Sequence, residues 1–267
     1  MNRDGSIKSA RLIVLGGAAI LLAGCGPSNR EAARSEVPIP SSTMALMSSK
    51  GMSPADPILI RAYKMESVME LWKRGDGQYA LLKTLPICRW SGQLGPKVRQ
   101  GDRQAPEGFY SVTPAQMNPN SAHYLSFDTG FPNAYDRAQG ATGAYLMVHG
   151  GCSSAGCYAM TDKGIAELYA IAREAFAGGQ SAFQFQAYPI RMTAENMAKH
   201  RADSNFAFWQ NLKEGSDRFE ATREEPQVDV MNGRYVFRVS PEGEALAARR
   251  TAEDEQRLAT LVRAFSD

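Results

Sequence analysis

The chain is poor in cysteine, with four in 267 residues, and in histidine, with three. It has no long basic tract, so nothing suggests nucleic acid as a partner. It has no internal repeat, which excludes a solenoid. Its main apolar run, "LIVLGGAAILLAG" from Leu12 to Gly24, is 13 residues long. That is too short to span a bilayer comfortably and suits the core of an export signal. Residues 26–55 contain no aromatic side chain.

The apolar run follows a basic start, Arg3, Lys8 and Arg11, and ends in "LAGC", Leu22 to Cys25. This resembles the bacterial lipobox. The resemblance implies a signal peptide over residues 1–24 and lipidation at Cys25. The chain is then expected as a periplasm-facing lipoprotein of the cell envelope, held to a membrane through its lipid anchor. Gly26 after the cysteine favours the outer membrane over inner-membrane retention. Removing residues 1–24 leaves 27 basic and 27 acidic residues, so the weak positive balance of +2 belongs to the signal.

Residues 26–55, "GPSNREAARSEVPIPSSTMALMSSKGMSPA", are dominated by Ser, Pro, Gly and polar residues. They are expected as a flexible tether, spanning about 30 Å as a coil and about 100 Å when stretched. With Cys25 lipidated, Cys88, Cys152 and Cys157 remain. An odd number argues against a disulfide framework and leaves at least one free thiol.

The remaining residues predict strands first. In "ILIRAYKMESVMELWKR" Tyr63, Met65, Met69 and Leu71 alternate with Lys64, Glu66 and Glu70, which is the period of a strand. "RGDG" turns it back into "YALLKTLPICRW" as a long hairpin. "GFYSVTPAQM", "HYLSFDTG" and "AYLMVHG" predict three short strands. Thr161 is expected to cap a helix that carries Ile165, Leu168, Ala172 and Phe176 on one face and ends at Gly178-Gly179. "SAFQFQAYPI" predicts a strand and "TAENMAKHRADSNFAFWQNLKEG" a helix. "QVDVMNGRYVFRVS" predicts a hairpin around Asn232-Gly233, and the C-terminus a helix.

The chemistry concentrates in "MVHGGCSSAGCYAM", Met147 to Met160. A cysteine attacks only as thiolate, and a free thiol with a pKa near about 8.5 is mostly protonated at neutral pH. A neighbouring imidazole can take that proton and return it to a leaving group. His149 ends a predicted strand and Cys157 follows eight residues later across small side chains. The N–H groups of Gly156 and Cys157 are candidate oxyanion donors. Cys152 is a second candidate nucleophile. Zinc through His149, Cys152 and Cys157 lacks an evident fourth ligand, and a Cys152–Cys157 disulfide is a further alternative. Cys88, beside Ile87 and Trp90, reads as core, as do Phe206, Phe208 and Trp209. His123 reads as a surface or satisfied histidine that could also line the cleft. His200 lies in a charged stretch.

The pattern "HG…S-x-G-C" is similar to the catalytic motif of the L,D-transpeptidases, the YkuD-like domain. "GDRQAPEGFYSV", Gly101 to Val112, resembles that family's "GD-x-x-T-P-x-G-x-Y" segment, and Lys97 stands where members often carry lysine. "SFDTGFPNAYDRA", Ser126 to Ala138, and the short "HGGC-x-S-x-G-C-Y-A-M" form resemble the branch typified by YafK. The resemblance covers roughly residues 56–190.

It implies a mainly β catalytic domain, a YkuD-like β-sandwich or barrel with one helix after the nucleophile, over residues 56–194. An α+β C-terminal extension occupies residues 195–267. It implies Cys157 as nucleophile and His149 as proton donor and acceptor, with Gly156 and Ser154 in the oxyanion motif. Gly150 and Tyr158 are expected beside the substrate cleft. The implied activity is L,D-transpeptidation of peptidoglycan stem peptides through a thioester, with no cofactor and no metal. Two alternatives accompany it: hydrolytic release of a protein linked to peptidoglycan, and an inactive peptidoglycan-binding module. Ala155 and Tyr158 depart from the broad family, which has a histidine before the Gly-Cys pair and often an arginine beyond the cysteine. A helper imidazole and a carboxylate-binding arginine are therefore missing at those positions.

Overall fold

In a computed structural model the described residues are Met1 and 34–264. The expected signal peptide, Cys25 and the start of the expected tether lie outside them. Two sheets form the core. The first has the order β3-β2-β1-β10-β5, built from β1 (Ile58–Tyr63), β2 (Val68–Arg74), β3 (Tyr79–Pro86), β5 (Gly108–Val112) and β10 (Phe183–Tyr188). β1 and β10 run parallel, and the other pairs are antiparallel. The second has the order β4-β9-β8-β7-β6, built from β4 (Arg89–Trp90), β6 (Met117–Asn118), β7 (Ser126–Asp128), β8 (Met147–His149) and β9 (Tyr158–Ala159). This is the expected mainly β architecture.

Alternation along the strands sorts the core, because successive side chains point to opposite faces. Ile60 is in register with Leu71 and Phe185, and Phe185 with Tyr110. These four are buried together with Phe127, Val148 and Tyr158 of the second sheet and with Ile165, Leu168 and Ala172. The last three lie on α3 (Asp162–Ala177), whose N-terminus is capped by Thr161 Oγ1 accepting from Gly164 N at 3.0 Å. The helix after the nucleophile motif therefore forms as its cap and apolar stripe predict.

The long strand expected from Ile58 to Arg74 is two strands. The chain turns at Lys64–Ser67, where Ser67 takes a positive φ of 53°. The period-two pattern breaks there: Met65 is exposed, while Lys64 is fully buried. A buried partner decides it, because Lys64 pairs with the equally buried Glu107 at 2.9 Å.

Residues 34–55 differ from the flexible tether expected of them. Helix α1 (Ser41–Ser49) packs on the domain, and Ile39, Met47 and Met52 join the main core. Thr43 Oγ1 and Lys83 Nζ both donate to Glu167 of α3. Arg173 of the same helix donates to the carbonyl oxygens of Ser35 and Val37. Few apolar residues suffice here because each is buried and the polar contacts fix the register.

The C-terminal extension forms α4 (Ala194–Lys199), α5 (Phe206–Thr222), the hairpin β11 (Gln227–Met231) and β12 (Arg234–Arg238), and α6 (Pro241–Ala264). The single helix expected over 193–215 is two, with a turn at His200–Asn205. α2 (Ala134–Ala138) is a short capped helix before β8. The extension covers the second face of the first sheet, where Tyr63, Phe109 and Tyr188 pack with Trp209, Leu212 and Tyr235. Among the described residues, no helix is long and apolar enough to cross a membrane.

Candidate active site

The second sheet positions the "HGGCSSAGC" stretch. β8 lies between β7, antiparallel, and β9, parallel, so His149 is in register with Ser126 and Ala159. Gly150 N donates to the carbonyl oxygens of His123 and Leu125 at 3.0 and 3.2 Å. A side chain at Gly150 would put its Cβ 2.8 Å from the His123 oxygen, so only glycine fits. Gly151 then turns with a φ of 81° and donates to Asp162 Oδ1 at 2.9 Å. The loop returns at Gly156, whose φ of 134° suits a residue without Cβ. Cys157 follows, directly before β9.

Cys157 carries the free thiol among the described cysteines. Its Sγ accepts from Met147 N at 3.3 Å. Burial pushes the thiol up, partly opposed by the Met147 N–H; Asp128 also raises it and Lys97 lowers it. His149 is buried, and burial lowers its pKa, with the contact to Gly150 opposing and the neighbouring His123 adding to the effect. His149 Nδ1 is 2.5 Å from Gly150 O. Only a protonated nitrogen can donate to a carbonyl, so Nδ1 holds the hydrogen and Nε2 keeps its lone pair. The resting pair is thus a neutral thiol and a neutral imidazole with a defined tautomer.

A cavity of about 530 Å³ joins Cys157 and His149 with His123, Tyr145, Ser153 and Ser154. The rings of His123 and His149 are 4.6 Å apart between centroids and inclined by 30°. A second, smaller cavity of about 130 Å³ shares Tyr145, Ala155 and Cys157 with the first and is lined further by Lys97, Gln100, Arg103 and Gly156. A larger groove of about 990 Å³, beside Gln184, Glu225 and Tyr235, contains no cysteine or histidine and offers no comparable chemistry.

Several expectations need correction. Cys152 is bonded to Cys88, with Cα atoms 5.3 Å apart. That removes Cys152 as a nucleophile, as a zinc ligand and as a partner for Cys157, and Cys88 is exposed rather than core. Tyr158 does not line the cleft. It is fully buried, and its hydroxyl donates to Pro106 O at 2.6 Å. Gly150 lies beneath the loop rather than in the cavity wall. The N–H groups of Gly156 and Cys157 point at Ser154 Oγ, at 3.3 and 3.1 Å, and Ser154 donates to Cys157 O at 2.7 Å. The two expected oxyanion donors are therefore held by Ser154, which itself meets Ser91 Oγ at 3.0 Å.

Elsewhere, His123 is exposed at the cavity, and His200 lies against Trp209, with centroids 6.0 Å apart. Trp209 is buried, as expected of core, and its Nε1 donates to Glu107 at 2.9 Å. Phe206 and Phe208 are partly buried against the same cluster. Lys97 is buried and paired with Asp102. Arg103, Tyr145 and Ser91 were not singled out by the sequence. The available signal was Arg103's place inside the "GDRQAP" segment.

A sequence model of the L,D-transpeptidase catalytic domain, YkuD, matches residues 59–178. The chain is 49% identical over 180 residues to YafK, a candidate L,D-transpeptidase of Escherichia coli strain K12, covering 67% of this chain and 73% of that protein. The YafK of strain O157:H7 matches to the same extent. Among solved structures, the helical cell shape determining protein Pgp2 of Campylobacter jejuni covers 71% of this chain and 80% of its own, at 16% identity and a TM-score of 0.41. Bd1075 of Bdellovibrio bacteriovorus covers 66% and 78%, at 13% identity and a TM-score of 0.36. TM-scores this low carry no argument about this chain.

Proposed function

Because the chain belongs to the L,D-transpeptidase catalytic domain family, we propose that it is a cysteine-dependent acyltransferase acting on peptidoglycan stem peptides. The observation that carries this reading is one cavity holding the free thiol of Cys157 and the tautomerically fixed His149. Cys157 Sγ attacks the carbonyl carbon on the L-centre of the diamino acid at stem position three. His149 Nε2 takes the thiol proton as the bond forms. With both groups neutral at rest, proton transfer accompanies attack rather than preceding it. The tetrahedral oxyanion draws the Gly156 and Cys157 N–H groups away from Ser154 Oγ. The C–N bond then breaks, His149 returns its proton to the departing amine, and a thioester remains on Cys157.

An incoming amine gives transpeptidation and water gives hydrolysis, with His149 removing the proton in either case. Where the departing amine belongs to a protein linked to peptidoglycan, the same steps release that protein. Incubating the chain with defined muropeptides, with and without an amine acceptor, and weighing the products separates these outcomes. Cys157→Ala should abolish all of them. Binding of muropeptides by the unsubstituted chain without any product would leave a binding module instead.

The "LAGC" sequence supports a lipid anchor at Cys25 and a periplasm-facing position at the outer membrane. Cys25→Ser should release the chain from membranes and leave its activity in solution. A Cys25→Ser chain that still fractionates with the outer membrane contradicts the anchor.

A further inference from the structure

The geometry points to Arg103 as the residue that binds a free carboxylate of the acyl donor, in the small cavity beside Cys157 whose lining holds no histidine. The inference rests on the stem-peptide reading above and adds its specificity determinant.

The cavity has two cations in its wall, and they are not equivalent. Lys97 is buried, ion-paired with Asp102, and donates to Arg99 O at 3.0 Å. Asp102 also accepts the N–H groups of Val98, Arg99 and Gln104 at 3.0, 2.9 and 3.0 Å. Lys97 and Asp102 thus pair with each other and tie the loop into a fixed knot, although the Lys97 charge is still felt at Cys157. Arg103 follows this knot directly. It is exposed, and among the described residues no hydrogen bond or ion pair engages its guanidinium. Its backbone is held at a φ of 55°, a conformation that costs an L-residue with a long side chain. The Arg103 backbone also runs close to Gly156, where a Cβ would lie 3.9 Å from it.

Among the described residues Arg103 is therefore the unpaired cation in the lining of the cavity that also holds Cys157, on a loop fixed by Asp102. Gln100 and the backbone of Gly143 complete a polar wall. A planar fork of donors in such a place suits a carboxylate. The acyl donor brings one: with its L-centre carbonyl on Cys157, the diamino acid's side chain branches from the adjacent α-carbon and ends in a carboxylate. The histidine side of the cleft is then left to the departing amine. This also accounts for a departure noted in the sequence. The arginine often found beyond the cysteine is absent, and Arg103 lines the cavity with Cys157 from a different loop.

Binding to the full chain carrying Cys157→Ala tests this without turnover. Two synthetic stem tripeptides are compared by calorimetry, one with a free carboxylate at the diamino acid's side-chain end and one with a carboxamide. The free acid should bind roughly tenfold tighter or more, as a charged hydrogen-bonded pair implies. Adding Arg103→Gln should bring the ratio to near one by weakening the acid alone, and Arg103→Lys should keep part of it. Equal affinities for acid and amide before Arg103 is changed overturn the proposal, as does a preference that survives Arg103→Gln. If neither peptide binds, the stem-peptide reading falls and the subsite falls with it. An unchanged urea midpoint of the Arg103→Gln chain checks that it remains folded.

Discussion

At the scale of residues, the two groups meant to react are both held neutral. Burial raises the Cys157 thiol and lowers the His149 imidazole, so an ion pair at rest is disfavoured from both sides. This alters what a pH profile should show. His149 remains an available base below the usual imidazole value of about 6.5, so the acid limb of kcat/KM should fall below that value. Alkylation of Cys157, which needs thiolate, should keep rising beyond the free-thiol value of about 8.5. His149→Ala should cost at least about 10²-fold in acylation, while His200→Ala, far from the cavity and against Trp209, should cost almost nothing. Loss of both limbs in an His123→Ala chain instead would transfer the base role to His123. The same shift links to stability. An unfolded chain takes up a proton near pH 6.5 that folded His149 holds off, so stability is full above that pH and declines below it. Urea midpoints from pH 7.5 down to 5 should show this decline, and the His149→Ala chain should show less of it.

At the scale of elements, the loop between β8 and β9 depends on a bond that spacing alone did not indicate. Cys88 precedes β4 and donates its N–H to Ala159 O at 2.9 Å, while Cys152 donates to Met160 O at 3.2 Å. The Cys88–Cys152 bond therefore ties the loop that leads to Cys157 to the edge of the second sheet. Cys88→Ser or Cys152→Ser should lower stability by about 2–4 kcal/mol and reduce turnover without abolishing it. Calorimetry and muropeptide assays check the two effects separately; complete inactivation by Cys152→Ser would mean that the loop cannot hold Cys157 without the bond. The sequence showed the capped helix α3, the Asn232-Gly233 hairpin and the His149/Cys157 pair, because caps, turns and small-residue loops are local signals. It did not show the disulfide. An odd thiol count hid it, although setting Cys157 aside as nucleophile leaves one pair. It mistook α1 for a tether because composition outweighed three apolar contacts. It ran β1 into β2 because Lys64 looked solvent-facing, and only a distant Glu107 makes its burial tolerable. Arg103 and His123 gained their place from the third dimension, through loops that converge on the cavity.

At the scale of the whole molecule, the catalytic domain and the extension share one structure. The matched stretch, residues 59–178, stops before β10, yet β10 lies between β1 and β5 in the first sheet. That stretch alone lacks an interior strand. Nor would adding β10 suffice, because the second face of the sheet carries groups that need the extension. Arg61 is fully buried, ion-paired with Glu220, and donates to Ser216 Oγ at 2.8 Å. Glu107 is fully buried too. It receives the Gly95 N–H at 2.7 Å and the Trp209 indole N–H at 2.9 Å, and it faces Lys64. Gly95 belongs to the loop that leads to Lys97 and Arg103, so this buried pair connects the extension to the wall of the site. A chain ending at residue 204 would leave Arg61, Tyr63 and Phe109 uncovered and should fail to fold, giving no cooperative unfolding transition. Glu107→Ala tests the connection in the intact chain. It leaves Lys64 without its counter-charge in a dry site, with only the carbonyl oxygens of Gln93 and Gly95 to accept from it, which should cost about 3–5 kcal/mol of stability. It also frees the Gly95 loop, so muropeptide binding should weaken at concentrations of urea where the rest of the chain is still folded. A Glu107→Ala chain with unchanged urea midpoint and unchanged binding would separate the extension from the site.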